Sequence, residues 1–117
     1  MRWIEDPVFL TNPTGIQELK RTVRSRIAMG ETRGGADDFK IFLDTGALSL
    51  LILDIGWCGG LTEARRCAAL AGAYLTPVAA HDCNGPGRIE RFGPFLSSHT
   101  QCLCAGNRTG VLLRLVC

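Results

Sequence analysis

The chain has 117 residues, 46% of them apolar, and a net charge of +2 at neutral pH. That length and apolar fraction suit one packed domain and exclude a disordered chain, while the charge is too small to imply a nucleic-acid or membrane partner. No apolar stretch reaches the ~18 residues that span a bilayer, and Met1-Arg2-Trp3-Ile4-Glu5 lacks the apolar run of a signal peptide, so the six cysteines are expected as reduced thiols of a cytoplasmic protein.

In chain order, residues 3–5 read as the end of a strand that Asp6-Pro7 stops. Thr14 is a candidate cap for a helix over 15–24, where Ile16, Leu19 and Val23 share one face. Lys20, Arg21, Arg24 and Arg26 fall at helical spacing and read as a solvated face. Residues 27–31 form the next strand, and Gly34-Gly35 breaks the chain. Asp37 and Asp38 favour the positive start of a helix over 39–45, which Gly46 ends. The continuous apolar run ending at Asp54 predicts a strand over 48–54 that is covered on both faces. After Gly59-Gly60, Thr62 is a candidate cap for a helix over 63–74, with Ala64, Cys67, Ala68, Ala71 and Tyr74 turned toward a sheet. Residues 77–81 are a further strand. Strand and helix alternate throughout, which predicts an α/β fold with a parallel sheet. Beyond Gly85-Pro86 the periodicity stops, and residues 87–117 read as an irregular tail.

Four of these strands end on a residue able to do chemistry: Glu5, Glu31, Asp54 and His81. They are separated by 26, 23 and 27 residues, close to the length of a tight βα unit. An acid or imidazole at the carboxyl end of successive strands is how a parallel α/β barrel assembles an active site. A complete eight-stranded barrel takes about 250 residues, so the chain fits part of one. Two carboxylates on neighbouring strands, Glu5 and Glu31, suit a magnesium ion, which prefers oxygen ligands. His81 could take a proton, with Asp54 holding its ring. Such an apparatus removes the proton α to a carboxylate. Each of the four could also be a plain polar strand end, and a lone histidine is often only a hydrogen-bonding group.

At these residues the chain resembles the enolase superfamily, in its mandelate racemase/muconate lactonizing enzyme-like branch. The resemblance covers residues 1–86 and rests on Trp3-Ile4-Glu5-Asp6-Pro7, Gly30-Glu31, Asp54 with Gly59-Gly60, and the His81 strand. The stretches from Asp54 to Ala64 and from His81 to Pro86 look most like acid-sugar dehydratase-type members. The resemblance implies a partial (β/α)8 TIM-type barrel, about strands four to seven, with Glu5 and Glu31 as the second and third magnesium ligands and Asp54 and His81 as the catalytic dyad. It implies a sugar-acid or hydroxy-acid substrate in the parent family. The first metal ligand, the lysine-bearing second strand and the amino-terminal capping domain would lie before Met1, and no counterpart of the eighth-strand glutamate appears after His81. The chain alone is therefore expected to be inactive, to bind magnesium weakly or not at all, and to associate with itself through open barrel edges. A non-catalytic binding module that keeps this fold is one alternative.

The other alternative uses the cysteines. Cys58, Cys67, Cys83, Cys102, Cys104 and Cys117 include no Cys-x-x-Cys pair, and His81-x-Cys83 and Cys102-x-Cys104 are not usual zinc spacings. A zinc or redox protein stays behind the barrel reading. Codons permitted for residues 102–116, read one base later, spell Gln-Glu followed by Phe-Tyr-Tyr-Gly-Trp, which resembles the family's eighth-strand region. The tail at 87–117 is accordingly expected to be out of frame, with His99, Cys102 and Cys104 carrying no chemistry.

Overall fold

The computed structural model describes residues 3–9, 11–81 and 102–104. Its elements are β1 (Ile4–Glu5), α1 (Pro13–Thr22), β2 (Ile27–Met29), α2 (Ala36–Leu43), β3 (Leu50–Leu53), α3 (Leu61–Ala73), β4 (Val78–Ala80) and β5 (Cys102–Cys104). The strands lie in one sheet in the order β1-β2-β3-β4-β5. Every pairing is parallel, with Ile4 opposite Ile27, Ala28 opposite Leu50, Leu51 opposite Val78 and Val78 opposite Cys102. Successive strands are neighbours, and no strand order reverses among the described residues. That is the winding of a (β/α)8 barrel rather than of a doubly wound open sheet.

The two faces of the sheet are separated by the two-residue period of a strand. On one face Leu51, Leu53 and Val78 pack with Phe39 and Leu43 of α2 and with Ala64, Cys67, Ala68 and Ala71 of α3. Ile27 and Met29 pack there with Ile16 of α1 and Phe42 of α2. On the other face Ala28, Leu50, Ile52 and Ala79 meet Trp3, with no helix among the described residues packed there. All four residues of β3 are buried, which explains why its sequence is continuously apolar instead of alternating. Small residues on α3 let that helix lie close against the strands.

Each helix starts differently from its predicted position. The cap of α1 is Asn12, whose side-chain oxygen accepts the Gly15 N–H at 2.9 Å, with Pro13 in the first turn. Thr14 is already helical because a proline at the first position is preorganised for the helix. The α2 helix begins at Ala36 and α3 at Leu61, capped by Gly35 and Gly60, and neither glycine offers a side-chain hydrogen bond. Tyr74 lies just past α3, and its hydroxyl donates to Asp44 instead of packing against the sheet. Strand β5 lies where no element was expected, since a three-residue strand is defined by pairing with β4 and carries too little sequence to show a period. No helix among the described residues is long and apolar enough to cross a membrane.

Candidate functional site

The carboxyl ends of β1 to β4 lie side by side: Glu5 ends β1, Glu31 stands one residue past β2 after Gly30, and Asp54 and His81 directly follow β3 and β4. Asp54 is the most buried, at 1% exposure. Its Oδ1 accepts the backbone N–H groups of Gly56 at 2.6 Å and Trp57 at 3.2 Å. This is an aspartate turn, which the Asp-x-Gly order favours. The turn leaves Oδ2 facing Nδ1 of His81 at 3.2 Å. On the other side of the ring, Nε2 of His81 lies 3.0 Å from Oε2 of Glu31. Both ring nitrogens therefore face carboxylate oxygens. The imidazolium form donates to both, whereas neutral imidazole has one N–H to give. The backbone N–H of His81 donates to Leu53 O at 2.9 Å, so strand pairing sets where the ring begins.

Glu31 owes its place to Gly30. Gly30 has φ +124°, and a Cβ there would fall 2.7 Å from the Phe39 ring and 2.8 Å from the Ile52 carbonyl oxygen. Only glycine lets the chain turn out of β2 against α2 at this point. Glu5 stands on the adjacent strand, exposed, with Oε2 accepting the Trp3 indole N–H at 3.0 Å. The structure thus joins Glu31, His81 and Asp54 in one run of contacts, with Glu5 one strand away.

Asp6 belongs to the same neighbourhood, although the sequence marks it only as a strand stop. Its φ of 38° is left-handed, and its Oδ1 accepts the Gly30 N–H at 3.2 Å. Burial pushes its carboxyl above the ordinary range, and repulsion from Glu31 and Glu5 adds to this, against the Gly30 hydrogen bond and the attraction of His81. The available signal was an aspartate directly before proline at a strand end, a residue that tolerates the left-handed region and bonds local backbone. Asp6, Pro7, Val8, Phe9 and Thr32 line an open depression of about 290 Å³ between the loops after β1 and β2.

The donor chemistry fits a hard cation in kind. Glu5 and Glu31 offer only oxygen, the donor a hard cation prefers. The number of donors is small, since no group of three or more candidate ligands forms among the described residues. Among the described residues, Cys58 and Cys67 do not belong to a cluster of candidate metal ligands. Both are buried and free. Burial raises the Cys58 thiol, and it pushes Cys67 up to about 12, the opposite of a reactive cysteine. Cys83, His99 and Cys117 lie outside the described residues.

The sequence profile of the enolase C-terminal domain-like family matches residues 1–106. A D-galactonate dehydratase of Ralstonia pickettii is 36% identical over 84 residues, which are 72% of this chain and 22% of that protein. An L-rhamnonate dehydratase of Saccharopolyspora erythraea is 31% identical over 83 residues, 69% of this chain and 21% of the relative. The chain thus spans about a fifth of the length of these curated relatives. Among solved structures, an enolase of the mandelate racemase subgroup from Agrobacterium tumefaciens, crystallised with sodium and phosphate, superposes with a TM-score of 0.83 at 32% identity, covering 91% of this chain and 30% of that one.

Proposed function

This chain belongs to the enolase C-terminal domain-like family, and from that premise we propose that it carries part of the active-site mouth of a magnesium-dependent enzyme that takes the α-proton from a hydroxy-acid carboxylate. The similar proteins named for galactonate and rhamnonate dehydration favour an acid-sugar dehydratase, with a racemase of the same proton chemistry as the neighbouring possibility. The observation that carries the reading is His81 held between Asp54 and Glu31 at the carboxyl ends of successive parallel strands.

In this reading Glu31 would turn from Nε2 of His81 to the cation, and the freed Nε2 would exchange the proton with the substrate α-carbon. Asp54 orients the ring through Nδ1 and stabilises its charged form, as carboxylates do for catalytic histidines. The N–H groups of Gly56 and Trp57 hold Asp54 in turn, so the base does not wander. Glu5 and Glu31 would hold the magnesium ion, which would supply charge stabilisation to the substrate carboxylate as the α-proton leaves. Two carboxylates grip magnesium weakly without further ligands, and we propose that the chain alone does not turn over substrate.

Titration of the full chain with Mn²⁺, followed by electron paramagnetic resonance, tests this. Weak, saturable binding is expected, roughly in the millimolar range. Glu5→Gln and Glu31→Gln are each expected to weaken it about tenfold or more, whereas His81→Asn leaves a measurable site. Binding that ignores both glutamate substitutions, or no binding at all, would remove the basis of the assignment.

A further inference from the structure

The loop that carries Glu31 has little to hold it from within. Between β2 and α2 it starts at Gly30, φ +124°, and ends at Gly35, φ +84°, and its internal backbone bond runs from Arg33 N–H to Gly30 O at 3.1 Å. Both of its ends are tied to neighbouring loops. At the start, Gly30 N–H donates to Asp6 Oδ1 at 3.2 Å. At the end, Gly35 N–H donates to Cys58 O at 3.2 Å, and Ala36 N–H donates to Glu63 Oε1 at 2.9 Å. Ala36 opens α2, whose cap residue Gly35 makes no side-chain hydrogen bond to the first turn. Glu63 sits in the first turn of α3, and its second oxygen takes the Arg66 guanidinium at 2.9 Å. Cys58 follows the turn that Asp54 shapes through Gly56 and Trp57.

We propose that Glu63 is a positioning residue of this site: its carboxylate staples the Glu31 loop to the element that follows Asp54, and so fixes the distance between the two carboxylates that bracket His81. The inference rests on the reading of His81 as the proton carrier. Glu63 acts through Ala36 and Gly35. The hydrogen bond crosses 27 residues of chain and joins two helices that start at the same end of the sheet. Had Glu63 capped only its own helix, its oxygens would have faced the first turn of α3. Ala36 is instead the leading cause of its lowered carboxyl pKa, ahead of Arg66.

Hydrogen exchange and ring ¹⁵N resonances of the labelled full chain separate a site staple from an ordinary helix cap. In Glu63→Ala, protection of the Ala36 amide is expected to fall about fivefold, the size of a lost cap, and the two ring nitrogens of His81 are expected to shift. In Glu63→Gln the amide oxygen still accepts, so both readouts return to those of the parent. Arg66→Ala leaves both in place. Unchanged His81 resonances in a folded Glu63→Ala chain overturn the proposal and leave only a cap. A Glu63→Gln chain with altered ring signals also overturns it; if Glu63→Ala fails to fold, Glu63→Ser, whose hydroxyl is too short to reach Ala36, repeats the loss test with the same expected shifts and the same overturning result. A parent chain that binds no Mn²⁺, while its His81 signals still follow Glu63, overturns the functional reading and supports the staple.

Discussion

Asp54 shows how little freedom one residue of the site has. It is 1% exposed and holds two backbone N–H groups and one histidine nitrogen. Asp54→Asn keeps an oxygen for the turn, whereas Asp54→Ala strands buried donors at about 1–3 kcal/mol each. Urea denaturation is therefore expected to rank the parent above Asn, and Asn well above Ala; equal losses would mean the turn does not depend on that oxygen. The thiols give a second residue-scale test. With Cys67 pushed up to about 12 and Cys58 also raised, neither is a thiolate at pH 8 in the folded chain. Alkylation mapped by mass spectrometry is expected to spare both until denaturant is added. On the surface, Lys40 and then Tyr74 hold the Asp44 carboxyl below its ordinary 3.8. A lowered carboxylate stabilises the fold fully above its unfolded pKa, and that gain is lost as pH falls through the folded value. Asp44→Asn is thus expected to lower the melting temperature slightly at pH 7, less in strong salt because the group is exposed, and progressively less as pH falls below the ordinary 3.8.

At the scale of elements, the strand tips were legible because an apolar run stopped by one polar residue leaves few other readings. The contacts around those tips were not. Asn12 displaces Thr14 as a cap because Pro13 starts the helix, and no local rule reveals that Glu63 caps α2 from another helix. Asp6 looked like punctuation because its partner, the Gly30 N–H, is 24 residues away. Strand β5 had no legible pattern because its definition lies in its pairing with β4. Two substitutions test the element boundaries. Asn12→Ala is expected to cost about 1 kcal/mol, the usual value of a lost cap. Gly30→Ala adds a Cβ against Phe39 and the Ile52 carbonyl at a left-handed φ, so overpacking and backbone strain add to about 3 kcal/mol or more. Chemical denaturation measures both, and a mild Gly30→Ala would show that α2 can retreat from β2.

At the scale of the whole molecule, the sheet leaves two edges among the described residues, β1 and β5, where a barrel of this winding has none. An edge strand offers unpaired backbone N–H and C=O groups to another chain. Phe9 at 88% exposure, Leu75 at 83% and Trp57 at 60% add apolar surface. The out-of-frame proposal for residues 87–117 stands against a family match that reaches residue 106, and the coding DNA decides between them: the proposal expects a family-like reading one base over across 102–116. The edges are decided in solution. Sedimentation over a hundredfold range of concentration is expected to show growing species, with a thermal transition that depends on concentration. A monomer throughout, melting sharply at one temperature, would mean that the edges are already satisfied within a single chain. Self-association would then be withdrawn, while His81 between its two carboxylates would stand, because those contacts are made inside one sheet and need no second copy.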